Sequence, residues 1–219
     1  PWTRARDSMV LADATAKGVL PYAKPPRWRI NIKNNSTTNT VIAAGRRLLD
    51  SKSHIWQVID GATVAPDAVA SVTAIQHESK TLTHTVSSTR NFYKIQIPEL
   101  DIDQYLTQIE VIRTTDQIKL TQAQRFNNSE PGELVYHLMS DESMRLWVEF
   151  GLTDVAGYVP NLGEQFDIVL HYTYGPTSMA SATPFGFEYS FASETDKRTE
   201  LFAETQLAAG ALPPNIVEM

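Results

Sequence analysis

The chain has 219 residues, 42% of them hydrophobic and 20% charged, which is the composition of a globular protein with length for one large domain or two small ones. It contains no cysteine, which excludes a disulfide framework, thiolate catalysis and a cysteine-based metal site, and which suits assembly in a reducing cytoplasm. The net charge of −6 is uneven: residues 1–47 carry nine Lys and Arg against Asp7 and Asp13, a local balance of +7, leaving −13 for the remainder.

A basic head on an acidic body suits either a nucleic-acid arm or docking of one subunit's head on its neighbour's body. The cations are not packed into a run and few aromatics interleave with them, which favours docking. No apolar run approaches the roughly 20 residues needed to cross a bilayer. The amino end, PWTRARDSMV, lacks the apolar stretch of a signal peptide. Pro1 begins the chain and Met219 ends it just after a Pro-Pro, so the sequence reads as an ordered portion of a longer polypeptide.

In chain order, RDSMVLADATAKG (Arg6–Gly18) places Met9, Val10, Ala12, Ala16 and Val19 at roughly helical spacing and predicts one amphipathic helix stopping at Gly18. PYAKPPR (Pro21–Arg27) forces an extended passage. In WRINIKNN, Trp28, Ile30 and Ile32 alternate with Arg29, Asn31 and Lys33, which predicts a half-buried strand. After the loop NNSTTN, Val41 and Ile42 lead to Gly45, where the chain can turn before restarting as RRLLD. His54–Ile59 and Ala70–Ser79 alternate again, with Trp56 and Val58 on one face of the first and Val72, Ala74 and Gln76 on one face of the second.

From about Thr81 to Tyr174 seven β-rich runs follow at intervals of about a dozen residues: LTHTVSS, FYKIQIP, TQIEVIR, QIKLTQ, ELVYHLM, MRLWVEFG and FDIVLHYTYG. That is the rhythm of an antiparallel sandwich or barrel, and a sandwich is expected. Gly175–Gly186 has linker composition. SETDKRTELFAETQLAAG then starts with a capping-box-like Ser193-Glu194-Thr195-Asp196 and stops at Gly210, which predicts a second helix.

The motifs fall in an order that resembles baseplate J-like proteins, the wedge subunits of contractile-tail phages and related injection machines. Ala12, Ala14, Ala16, Gly18, Val19 and Pro21 match that family's leading helix and the turn into its first strand. Ile42-Ala43-Ala44-Gly45-Arg46 followed by Asp50 resembles its Ile-Pro-Ala-Gly-Thr turn and aspartate, departing at the proline and the threonine. Phe150, Gly151, Gly157, Pro160, Gly163, Tyr172 and Gly175 stand in the family's order, and AAGALPPNIVEM resembles the end of its conserved domain. The resemblance covers nearly the whole chain through short, Gly-rich motifs. It implies a wedge subunit that assembles around a central hub, often in pairs, and rearranges as the sheath contracts. It implies no catalytic residues.

The residues themselves offer few chemical alternatives. Asp101 and Asp103 in ELDID are two apart, the start of a Ca²⁺ site if they share a strand face and a solvated turn after Pro98 if they do not. Asp141 and Glu142 sit in the hairpin turn MSDESM. The histidines, His54, His77, His84, His137 and His171, fall singly in different runs without the i, i+4 spacing of a helical metal site, which suits cross-strand packing. There is no Gly-x-Ser-x-Gly and no phosphate-cradling loop opening a helix. Trp28, Trp56, Trp147, Tyr172 and Tyr174 suggest either a carbohydrate-stacking surface or core and interface positions. Arg46-Arg47 suits a phosphate contact, an exposed turn or a subunit salt bridge.

The expected fold is α+β, mainly β, with flanking helices, a small β unit and an antiparallel sandwich-like domain. The expected organisation is a helix plus small β unit over residues 1–80, the sandwich over 81–175, and a linker and helix returning to the first unit over 176–219. The structural turn and interface candidates are Gly45, Arg46, Arg47, Trp56, Gly151, Gly157 and Gly163. No catalytic residue, cofactor or metal is expected. The expected role is a non-enzymatic virion component, assembled in the host cytoplasm, whose partners are other wedge subunits, a second copy of itself, and hub or sheath proteins, with no nucleic acid and no membrane span. The competing readings are a carbohydrate- or receptor-binding sandwich module, which would expose its tryptophans on a concave face, and a hydrolase, which would place two carboxylates roughly 5 to 10 Å apart in a cleft.

Overall fold

The computed structural model describes residues 7–16, 20, 22–124, 129–188 and 194–214. From the amino end come α1 (Asp7–Ala16), β1 (Arg27–Asn34), β2 (Thr40–Ile42), β3 (Arg47–Leu49), β4 (Ile55–Val58), β5 (Ala62–Val64) and β6 (Val69–Gln76). The middle holds β7 (Glu78–Thr85), β8 (Lys94–Gln96), β9 (Tyr105–Arg113), β10 (Ile118–Lys119), β11 (Thr121–Gln122), β12 (Val135–Ser140), β13 (Leu146–Glu149) and β14 (Gln165–Thr173). The last elements are β15 (Pro184–Phe187), α2 (Glu194–Lys197) and β16 (Thr199–Ala208). Among the described residues 47% are strand and 7% helix, so the protein is mainly β, in several antiparallel sheets.

Six strands close into an antiparallel barrel in the order β1-β16-β15-β3-β4-β6. Alternation explains it: Trp28, Ile30 and Ile32 of β1 point inward with Trp56 and Val58 of β4 and Val72 and Ala74 of β6. Each of these larger side chains, fully buried, contributes roughly 1.5–3 kcal/mol. Closure also leaves the barrel sheet without an open edge. The pair β2 and β5 forms a small sheet beside it.

Between β6 and β15 the chain leaves the barrel and builds two four-stranded sheets, β10-β9-β14-β7 and β11-β12-β13-β8. They share one core, in which Ile109, Val111, Phe166 and Ile168 of the first sheet meet Ile95, Leu138 and Val148 of the second. Each of the seven β-rich runs contains a strand. β10 covers β9 only at Ile112 and Arg113, and β11 covers β12 only at Val135 and Tyr136. The amino-terminal segment closes part of what remains. α1 packs on β12, Thr15 Oγ1 lies 3.4 Å from Ser140 Oγ, the Ala23 N–H donates to Leu106 O at 2.8 Å, and Leu20 joins the shared core.

Three expectations change. The helix grouped with the first β unit packs on β12, and the face it buries is Leu11, Ala14 and Thr15, while Met9 is 63% exposed. The small β unit supplies four of the six strands of a closed barrel, which β15 and β16 complete. The second helix is confined to Glu194–Lys197, and Thr199–Ala208 is strand; Ser193 lies outside the described residues. TELFAETQLA is rich in helix formers, but Leu201 and Ala203 are buried at period two and β16 bonds β1 along its length, so closure of the barrel overrides local propensity.

Candidate functional site

Gly45 turns the chain between β2 and β3 with φ +83°; the Arg46 N–H donates to Ala43 O at 3.1 Å, and the Gly45 N–H reaches back to Val58 O at 2.8 Å. A Cβ there would meet only Gln57 Nε2, at 3.9 Å, so glycine is required by the backbone angle rather than by space. Both following arginines are engaged within the chain. Arg46 pairs with the buried Asp196 at 3.4 Å and lies 4.4 Å from the Phe187 ring centroid; Arg47 reaches Glu188 at 3.1 Å. With Lys33 and Glu200 at 3.7 Å, part of the basic head is neutralised by acids of residues 188–200 in the same barrel.

Trp56 is not an interface residue: it is fully buried in the barrel, edge-on to Phe185 at 5.8 Å. Its Nε1–H donates to Asp50 Oδ2 at 3.0 Å, while Asp50 Oδ1 accepts the Lys52 and His54 N–H groups at 2.8 and 3.0 Å. Asp50 therefore closes the β3–β4 turn and satisfies the indole at once.

A buried polar network lies at the neck where the chain leaves the barrel at Gln76–Glu78 and returns at Thr173–Gly175. Gln76 is fully buried, and its Oε1 accepts the Thr173 hydroxyl at 2.7 Å and the Tyr174 N–H at 3.0 Å. Its Nε2 lies 3.4 Å from His54 Nδ1, and the His54 ring stacks on Tyr174 at 4.0 Å. Glu78 spans the same gap, accepting the Ile55 N–H from the barrel and the Tyr172 hydroxyl from β14, each at 3.0 Å. Burial, and then the Glu78 carboxylate, push the Tyr172 phenol well above its ordinary range. Both crossing strands are thereby braced to each other and to β4.

On the outer side of the neck His77 stacks on His171 at 4.7 Å. His171 is largely buried, neither ring nitrogen has a hydrogen-bond partner among the described residues, and Nε2 stands 3.6 Å from Glu110 Oε1. Burial and the neighbouring His171 lower the His77 pKa, opposed by Glu110. Burial alone would raise Glu110, but the Lys119 ammonium at 2.6 Å, with His171 nearby, holds it below the usual carboxylate range.

At the end of the two-sheet unit away from the barrel lie the predicted glycines. Gly151 has no room for a side chain, since a Cβ would strike Ala156 O and the Gly157 backbone. Gly157 and Gly163 hold φ of +66° and +82° in the loops beside it. Here Asp116 and Glu164 both engage the Arg113 guanidinium, and Glu164 also accepts the Tyr158 hydroxyl at 2.6 Å and the Asn161 N–H at 2.9 Å.

Asp101 and Asp103 fall in an exposed turn and not on a strand, and no group of three or more His, Asp or Glu suited to a metal ion occurs among the described residues. Asp141 caps its hairpin, accepting from the Ser143 and Arg145 N–H groups at 2.9 and 3.0 Å, from Arg145 Nε at 2.8 Å and from Trp147 Nε1 at 3.2 Å. Burial opposes these donors, and together they hold its pKa low. His84 bonds Tyr93 Oη at 2.8 Å and His137 Nδ1 meets Ala123 O at 3.1 Å, so both serve packing. No protein-family model matches the chain, and a search of curated proteins finds no match.

Sequence reasoning passed over Gln76 and Glu78 as site residues. The signal was present: Gln76 continues the apolar face of Val72 and Ala74, and a polar side chain on that face has to find buried partners.

Proposed function

We propose that the chain is a structural component of a contractile-tail baseplate wedge. Its barrel holds a place in a multi-subunit ring around the central hub, and a sandwich-like arm meets neighbouring proteins. The neck relays the change that triggers sheath contraction. The motif order from Ala12 to Gly210 supports the family, and the neck carries the mechanical part of the reading. A buried glutamine satisfied from both crossing strands, with Glu78 bonded to barrel and arm, makes a coupling that transmits displacement instead of absorbing it.

The carbohydrate- or receptor-binding alternative draws less support. Trp28 and Trp56 are buried, and Trp147 is tied to Asp141, so these tryptophans offer no stacking platform. The test is genetic: a producer lacking this chain should yield tails without functional baseplates, restored by the chain in trans. Particles that assemble and contract normally without it would overturn the proposal.

A further inference from the structure

The barrel is closed, and three of the four sheet ends in the arm are strands too short to template another: β10 and β11 have two residues each and β8 has three. β7 is the fourth end and is different. It spans eight residues, about 26 Å at a strand's rise, and ESKTLTHT holds neither Pro, Gly nor a bulge against β14. The Val86 N–H donates to Glu164 O at 2.8 Å, in register with the ladder, so the even-numbered residues of β7 are those bonded to β14. Ser79, Thr81, Thr83 and Thr85 therefore turn their N–H and C=O groups to the free edge, where none finds a partner among the described residues.

This edge runs on from the barrel. Only His77 separates β6 from β7, and its N–H donates to Ile55 O of β4 at 3.3 Å. Beyond Ile55 the neighbouring chain turns away through Asp50–His54, so the edge of β7 opens where β4 stops. A strand laid along it would extend the line of β4 across the neck onto the arm.

Side chains at the edge select the occupant. On the side that faces the arm's core, Leu82 packs against that core and His84 bonds Tyr93, while Lys80 is exposed. The acids nearby are engaged: Asp50 by Trp56 and the β3–β4 turn, Glu78 by Ile55 and Tyr172, and Asp167 by the Thr83 hydroxyl. Lys80 and Lys52 in the β3–β4 turn form no ion pair among the described residues, unlike Lys33, Lys94, Lys119 and Lys197. A lysine near the middle of an edge opposes pairing with an identical edge and favours a strand that brings a carboxylate.

We infer that β7 is a strand-acceptor site: an extended, acidic segment of a different protein adds to the arm's sheet beside Ser79–Thr85, with a carboxylate set against Lys80. Main-chain hydrogen bonds hold such a segment, and its alternate side chains set the specificity. The inference stands apart from the wedge reading, since it needs only the edge itself.

The probe is a displayed library of random octapeptides panned against the chain. It should enrich sequences that alternate β-branched residues and carry a carboxylate, and synthetic copies should bind with a Kd of about 10–100 µM. Binding should protect the Ser79, Thr81, Thr83 and Thr85 amides from hydrogen exchange and leave those of Leu82 and His84 unchanged. Thr81→Pro removes an outward N–H that bonds nothing within the chain, so the thermal transition should hold while the peptide weakens about tenfold or more. Lys80→Glu should fold as the parent does and shift the enrichment from acidic to basic sequences. A library that enriches nothing binding below ~1 mM, protection that falls outside β7, or indifference to Lys80→Glu would overturn the inference. So would a chain that fills the edge with its own copy and is released by Thr81→Pro. The wedge reading fails separately, by absence of the chain from contractile particles, whatever peptides the edge accepts.

Discussion

Replacing Gln76 with leucine tests the neck directly. Leucine matches the glutamine closely in volume, so little packing is lost, but it removes the acceptor of two donors. Thr173 is fully buried, and its hydroxyl and the Tyr174 N–H would both be left unpaired. At roughly 1–3 kcal/mol for each unsatisfied buried donor, the substitution should cost about 2–5 kcal/mol. For a chain of this size that lowers the melting temperature by roughly 5–15 °C. Thr173→Val in the Gln76→Leu background removes one orphan and should recover about 1–2 kcal/mol, although in the parent it destabilises. Denaturant unfolding of the four proteins, with hydrogen exchange at the Tyr174 amide, reads the effect. A cost below about 1 kcal/mol, unchanged Tyr174 protection and simple additivity would refute the neck as a satisfied hub.

Gly45→Ala should cost about 1–2 kcal/mol because φ is +83° in open space, whereas Gly151→Ala should cost about 3 kcal/mol or more because the Ala156 carbonyl has to move; thermal unfolding orders the two. Trp56→Phe removes the indole donor from the buried Asp50 and should destabilise by about 2–4 kcal/mol in urea unfolding; a neutral result would contradict the barrel-core placement. The folded-state pKa of His77 lies below its ordinary 6.5, so the unfolded chain takes up the proton first and stability falls as pH drops through 6.5 toward the folded value. His77→Gln should flatten part of that loss between about pH 7 and 5, as read by melting temperature against pH, and an unchanged slope would exclude the contribution.

Where side chains alternate cleanly, the sequence alone was enough. Trp28, Ile30 and Ile32, or Val72 and Ala74, announce both a strand and its buried face, and turn residues bound the seven runs between Thr81 and Tyr174. β16 was hidden because Glu, Leu, Ala and Gln satisfy a helical pattern as readily as an alternating one, and only pairing with β1, some 170 residues earlier, decides between them. The helix face was hidden for a related reason: apolar residues surround α1, so spacing could not say that Leu11 and Ala14, and not Met9, meet β12. Of the candidate site, Gly45 and Gly151 were visible as glycines in punctuating positions. The cis partners of Arg46 and Arg47, Asp196 and Glu188, lie 150 and 141 residues further along the chain, and no local pattern records them.

The most direct measurement is quantitative mass spectrometry of purified contractile particles from the producing cell. A wedge component should be present in a fixed ratio to the hub protein, unchanged on further purification and retained after contraction. Absence of the chain from such particles, or a content that varies from one preparation to the next, would contradict the proposed function.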